Sequence, residues 1–362
     1  MKKRLLSLFL ALAMIFSLSN ALFLTADAAS HTKYNTSAEA IVQAAARYIG
    51  LPYVWGGKTP AAGGFDCGGL VGYVLKHTGF EDAPGSGSAS LYRYCQNKGT
   101  TVKAENVRAG DIAFFYNTYD CPDPSLPSHV GICTSNTKMI HAGDPIGYCN
   151  LSAFAGNSPV YYRLSYTGRT YCPSSHLSDV DANGWYHEAI DNMIYKGYMN
   201  GVSYKEFDLN GNITRAQAAS VLYRMAGSPS VAGKTESFSD VKADSWFRNA
   251  VIWSNYYGIL TGVYSQTFAP NTAMTREAFA TALYKYAVHR GTYKYNSYQE
   301  KVLQAFTDSS KISNSTARTA MKWAIYNGIL TGYTDKTIKP GKYVTRAEFA
   351  VMVHRYLTKF GK

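Results

Sequence analysis

Leu70, Val71, Val74 and Leu75 recur at the spacing of one helix face, and Gly79 lies just past them, so the pattern predicts a helix opening at Cys67. An apolar-rich stretch over residues 37–48, ended by Gly50, predicts a second helix before it, with Thr36 and Glu39 as a capping box. The pattern then shortens. Residues 111–116, 129–133, 138–142 and 160–164 are brief runs rich in β-formers and bounded by turn residues, which predicts strands of a small sheet packed on the Cys67 helix. A hairpin through Ser135, Asn136 and Thr137 would bring His129 and His141 to one edge.

From about residue 177 onward the pattern repeats itself. Thr214-Arg215, Thr275-Arg276 and Thr345-Arg346 recur in phase, each with a glycine 17 residues earlier, at Gly197, Gly258 and Gly328. Asp179 and Asp240 stand 18 residues before their glycine and Trp185 and Trp246 stand 12 before it, whereas the third copy has Asp308 at 20 and Thr316 in place of the tryptophan. Each unit reads as a loop, a helix ending at the glycine, a turn, and a second helix capped by the threonine. Gln217 and Glu348 complete capping boxes in the first and third copies. Such units cannot bury their apolar faces singly, so the three are expected to pack into one body. Trp253 and Trp323, five residues before their glycines, fall on the apolar stripe and read as core anchors.

The length of 362 residues leaves room for two or three domains. Met1-Lys2-Lys3-Arg4, an apolar run beginning at Leu5 and Ala26-Asp27-Ala28 read as a secretory signal cleaved before Ala29. Export permits disulfides, yet the six cysteines, Cys67, Cys95, Cys121, Cys133, Cys149 and Cys172, show no zinc-site spacing, and their pairing cannot be read from the sequence. Residues 29–164 hold ten Lys and Arg against nine Asp and Glu, and residues 165–362 hold 23 against 14. The basic repeats favour an anionic partner, and the export signal favours a wall polymer over nucleic acid.

Phe65-Asp66-Cys67-Gly68-Gly69 sets a thiol at a helix N-terminus, where backbone N–H groups favour the thiolate. Ser128-His129-Val130-Gly131 and Ile140-His141 follow, completing a set of nucleophile, base and orienter. A metal reading of His129, His141 and Asp144 is disfavoured, because apolar strand residues separate them and no ligand-rich loop appears. His77, His176, His187, His289 and His354 stand in no constellation and read mostly as surface.

Together with Gly50-Leu51-Pro52-Tyr53-Val54-Trp55-Gly56, these motifs resemble the NlpC family of cell-wall cysteine peptidases over about residues 38–165. The resemblance implies a papain-like α+β domain, helices packed on a small antiparallel sheet, with Cys67 as nucleophile, His129 as base and His141 as orienter. It also places Tyr53, Asp66 and Gly68 at the substrate, and Gly68 departs from the serine usual in the family. The repeats resemble S-layer homology units, by Phe238-Ser239-Asp240-Val241 and the Thr-Arg signature. That resemblance implies an all-α domain of three pseudo-symmetric repeats binding an anionic secondary wall polymer, with Arg215, Arg276 and Arg346 as candidate ligands.

The expected organisation is a signal over 1–28, a peptidase domain over 29–165, a linker over 166–176, and repeats over 177–226, 236–288 and 304–359. The resemblance implies a secreted peptidoglycan endopeptidase of Gram-positive type, held non-covalently at the wall or S-layer. It would cut the γ-D-glutamyl to diamino acid bond of stem peptides and need no cofactor or metal. No stable membrane insertion is expected after signal cleavage. The alternatives are an inert wall-binding or S-layer structural protein, or a wall amidase.

Overall fold

The structure, a computed structural model, describes residues 33–120, 122–235 and 238–361, so the expected signal segment and Cys121 lie outside the described residues. The first half is a mixed helix and sheet unit. Strand β1 (Tyr34–Asn35) precedes helix α1 (Ala38–Ala46), and the short hairpin β2 (Lys58–Thr59) and β3 (Gly64–Phe65) leads directly into α2 (Cys67–Lys76). Helix α3 (Ser88–Lys98), which the apolar pattern does not announce, comes next. A six-stranded antiparallel sheet then forms from β4 (Gly99–Val102), β5 (Ile112–Phe115), β6 (His129–Cys133), β7 (Lys138–His141), β8 (Gly147–Asn150) and β9 (Val160–Leu164), in the order β4-β9-β5-β6-β7-β8.

The four strands expected from the sequence are present within one residue at either end, and β4 and β8 extend the sheet at its edges. Alternation along β5 shows why a fully apolar run is still a strand. Ile112 and Phe114 join the core under α1 and α2, whereas Ala113 and Phe115 join a smaller cluster with Met139, Leu151 and Tyr161 on the other face. Asp111, fully buried just before β5, receives Nε and Nη2 of Arg163 on β9 at 2.8 Å each, a bidentate pair that fixes the β5–β9 register.

The cap of α1 differs from expectation. Ser37, one residue later than Thr36, accepts the Ala40 N–H, because the Thr36 hydroxyl donates instead to the Thr78 carbonyl at 2.6 Å beyond the end of α2. Strand β10 (Thr170–Tyr171) returns to pair with β1, Tyr34 against Tyr171, so the segment expected as a linker is partly held in a two-stranded sheet.

In the second half the repeats contribute three helix pairs: α4 (His187–Tyr195) with α5 (Arg215–Met225), α6 (Arg248–Tyr256) with α7 (Arg276–His289), and α8 (Ser315–Tyr326) with α9 (Arg346–Phe360). One continuous core joins them, with Trp253 and Trp323 at its centre as expected, whereas Trp185 and Trp246 stand exposed. Gly197, Gly258 and Gly328 all follow their helix in the left-handed region, at φ 68°, 67° and 69°, the conformation a glycine adopts without Cβ strain. Thr214 and Thr345 form capping boxes, and Thr275 caps the Ala278 N–H alone.

The contacts between repeats run in a ring. Helix α5 packs on α6, α7 on α8, and α9 returns to α4. Of the five histidines expected mostly at the surface, His289 is exposed. His77, His176 and His354 are partly covered, and His187 is buried beside Cys172 and Asp191, because each packs where two elements meet. No helix among the described residues is long and apolar enough to cross a membrane.

Candidate active site and repeat grooves

Asp66 sits at the N-cap of α2 and accepts the Gly69 N–H at 2.5 Å, which starts the helix at the thiol-bearing residue. The Cys67 residue is 8% exposed, and its sulfur lies 3.9 Å from the carbonyl of Ser128, the residue immediately before His129 on β6. Strand pairing sets His141 opposite Gly131, and this register places the two imidazoles together, His129 Nε2 to His141 Nδ1 at 2.9 Å. All three residues expected to carry chemistry thus come to one end of the sheet.

The electrostatics of the thiol run against its helix position. Burial first, and then the Asp66 carboxylate, push the Cys67 thiol up to about 11, although the backbone N–H groups of Val130, Gly68 and Cys67 act in the opposite sense. Burial, and next the neighbouring His141, pull His129 down to about 3, and burial lowers His141 as well. Burial thus disfavours charge on the thiol and on both imidazoles, against the sequence expectation of a thiolate favoured by the helix end.

Tyr53 bridges to Phe65, and its backbone N–H faces Asp144 Oδ1 at 3.4 Å. Burial, then Cys67 and Asp66, push its hydroxyl up to about 12, which sets that hydroxyl in the electrostatic reach of the thiol. Gly68 has a steric reason. A Cβ there would come within 2.4 Å of the Gly87 nitrogen and 2.8 Å of its Cα, so the backbone leading into α3 occupies the space a serine side chain would need. Gly72, one turn on, meets the Pro84 carbonyl in the same way, at 2.4 Å.

Two features of the site escape the motif reading. Phe154 stacks on the His129 ring at 5.0 Å and 13°, with Phe115 behind it, so the imidazole is held by aromatic faces as well as by His141. Trp55, 74% exposed, meets Tyr119 edge-on at 5.8 Å and forms an aromatic rim. Phe154 lies in a 3-10 segment with no periodic pattern. Trp55 was visible only as part of a motif.

In the repeats, each candidate arginine reaches into a neighbouring unit. Arg215 donates from Nε to the Phe268 carbonyl at 2.8 Å and from Nη2 to that of Thr261 at 2.5 Å. Arg276 does the same to Ile338 and Thr331, and Arg346 to Phe207 and Asn200, which closes the ring. Asp179, Asp240 and Asp308 clamp the same three loops through pairs of backbone N–H groups at 207–208, 268–269 and 338–339. Arg276 and Arg346 are almost fully buried, and Arg215 lines an open groove of about 240 Å³ with Thr261, Glu277 and Asn314.

The NlpC/P60 family model matches residues 50–160, and the S-layer homology domain model matches 176–219, 237–280 and 305–350. The chain carries an NlpC/P60 domain followed by three S-layer homology domains. Over 105 residues, 28% of this chain and 22% of the relative, it is 40% identical to a gamma-DL-glutamyl hydrolase of Bacillus subtilis. Over 167 residues, 45% of this chain and 35% of the relative, it is 29% identical to a cellulosome-anchoring protein of Acetivibrio thermocellus. The chain thus spans well under two thirds of either protein. Among solved structures, the NlpC/p60 domain of the peptidoglycan hydrolase SagA is 32% identical, with a TM-score of 0.29, over 36% of this chain and 98% of that one. The NlpC/P60 domain contains α2 and the histidine strands, and the S-layer homology domains contain the arginine ring.

Proposed function

We propose that the protein is a peptidoglycan hydrolase of the cell surface, a cysteine endopeptidase in its first half and a wall-binding body in its second. The observation that carries the reading is the convergence of Cys67, His129 and His141 at one end of the sheet inside an NlpC/P60 domain. The cysteine helix packed on an antiparallel sheet that bears the histidines supports a papain-like assignment, and the closed cycle of arginine contacts supports pseudo-threefold repeats.

In the mechanism we infer, His129 takes the Cys67 proton as the sulfur attacks the amide carbonyl. The amine leaves with that proton, and His129 then activates the water that frees the acyl group. His141 holds the His129 ring in one tautomer, and the N–H groups at the start of α2 face the developing oxyanion. Burial disfavours charge on both the thiol and the imidazole, which favours proton transfer that accompanies attack over a standing ion pair. The bond we favour is γ-D-glutamyl to diamino acid, supported by likeness to a hydrolase named for γ-glutamyl bonds. Tyr53 and the Trp55–Tyr119 rim would meet the stem peptide.

Retention is assigned to residues 177–362, where the basic excess and the Arg215 groove suit an anionic wall polymer. Arg215, Arg276 and Arg346 would serve it chiefly by shaping the grooves and supplying charge, since two donors of each are engaged between repeats. We keep as part of the proposal the domain limits expected from the sequence, with cleavage before Ala29 and secretion. The test is the turbidity of a wall suspension. It falls with the mature chain and holds steady with Cys67→Ala, and equal clearing by both would defeat the reading. The deeply buried neutral thiol favours one competitor, an inert wall-binding domain, and for that protein neither sample clears the suspension.

A further inference from the structure

Where the segment after β10 meets the first helix of the repeats, a second group of chemically active side chains lies outside the site described above. Cys172 directly follows β10, and His187 and Asp191 stand one turn apart on the same face of α4. The Cys172 sulfur is 3.5 Å from His187 Nε2 and 3.5 Å from Asp191 Oδ2, and His187 Nε2 is 3.2 Å from that same oxygen. His187 is 7% exposed and Asp191 1%, so a carboxylate has been taken out of water here. A buried charge is tolerated where it is paired or binds a metal.

The spacing of the three donor atoms is that of a coordination tetrahedron. Zinc bonds of about 2.3 Å to sulfur and about 2.0–2.1 Å to nitrogen and oxygen, set at the tetrahedral angle, hold the donors about 3.3–3.6 Å apart. The outer contacts also match what ligands require. His187 Nδ1 lies 3.1 Å from the Asp181 carbonyl, which can only accept, so a proton sits on Nδ1 and Nε2 is the ring nitrogen turned to the other two groups. Asp191 Oδ1 is held by the Ser174 N–H at 2.8 Å, which turns Oδ2 inward. The buried Ser174 hydroxyl, 3.6 Å from the sulfur, or a water would complete the fourth position.

We propose that Cys172, His187 and Asp191 bind a zinc ion that clasps the segment after β10 to the first repeat. The donor set of sulfur, imidazole and carboxylate suits zinc, whereas magnesium and calcium take oxygen donors. Binding exchanges protons for the metal: Zn²⁺ enters, the protons on the Cys172 sulfur and on His187 Nε2 leave to solvent, and thiolate plus carboxylate neutralise the ion in a buried pocket. The clasp fastens a junction already made by Arg47 against His176 at 3.4 Å and by Tyr34 against Tyr195 at 4.6 Å. No cysteine spacing announces it, because Cys172 and His187 are 15 residues apart and only the fold joins them.

The test uses the mature full chain carrying Cys67→Ala, which removes the thiol beside His129 as a competing site. After chelator dialysis the protein is loaded with zinc, passed through a desalting column and assayed for bound metal, and a parallel sample is titrated with cobalt(II). The proposal predicts one retained zinc per chain and a cobalt–thiolate charge-transfer band of tetrahedral type. Both are lost in Cys172→Ser, and His187→Gln and Asp191→Asn each weaken zinc by more than the roughly 10–100-fold that loss of an outer partner costs. A negative parent titration is decisive by itself, whatever the variants do. No retained zinc and no thiolate band overturns the proposal, as does a folded Cys172→Ser protein that keeps both.

Discussion

Gly68 is the residue at which steric and chemical demands meet. The Gly87 backbone occupies the volume of its absent side chain, so Gly68→Ser, which restores the family's usual residue, must displace the loop before α3. The expected outcome is a loss of about 1–3 kcal/mol from overpacking, read as a lower denaturation midpoint, together with weaker hydrolysis although Cys67 is untouched. An unchanged midpoint would mean that the loop yields freely. Cys67 makes the second prediction at this scale. With its thiol pushed up to about 11, alkylation of the free protein by iodoacetamide should be slow at neutral pH and climb steadily above pH 9. Rapid modification at pH 7 would instead indicate a standing thiolate. The motif marks which residues are candidates to react but not their burial, because helix position acts on the sulfur through a few N–H groups whereas desolvation depends on everything packed around it.

At the scale of elements, strong periodicity and chemical punctuation were legible and edges were not. The cysteine helix, the histidine strands and the threonine-capped repeat helices follow from apolar spacing, glycines and capping boxes. Edge strands β4 and β8 carry mixed, half-exposed residues, so their pairing is decided by the neighbours β9 and β7 and not by their own pattern. The same limit applies to the repeat arginines. Sequence shows that they recur at helix starts, but only the fold reveals that each guanidinium bridges to carbonyls of another repeat. Arg346→Ala should therefore cost about 1–3 kcal/mol by leaving the Phe207 carbonyl unpaired, measured as a lower unfolding midpoint of the repeat body. Arg346→Lys should fail to restore it, since a single ammonium nitrogen lacks the planar fork whose Nε and Nη2 meet the two carbonyls. Recovery by lysine would show that charge, and not the fork, matters there.

For the whole molecule, buried histidines set the response to acid. His129 and His176 are each pulled down to about 3, chiefly by burial, and His141 is lowered too. Below the ordinary histidine value of 6.5 the unfolded chain binds protons that the folded chain refuses. This part of the stability is therefore full above 6.5 and drains away as pH falls toward 3. Thermal unfolding midpoints followed between pH 7 and 4 should fall, and a flat profile would mean that these rings take up protons in the native state. The division of labour is also a property of the whole: deletion of residues 177–362 should abolish sedimentation with walls. Whether Cys67 and its two histidines cut the stem peptide is tested most directly by the mass of the fragments released from purified peptidoglycan. Products ending in D-glutamate are expected from the mature chain and none from Cys67→Ala. Intact stem peptides from both, with the protein still bound to the wall, would contradict that expectation.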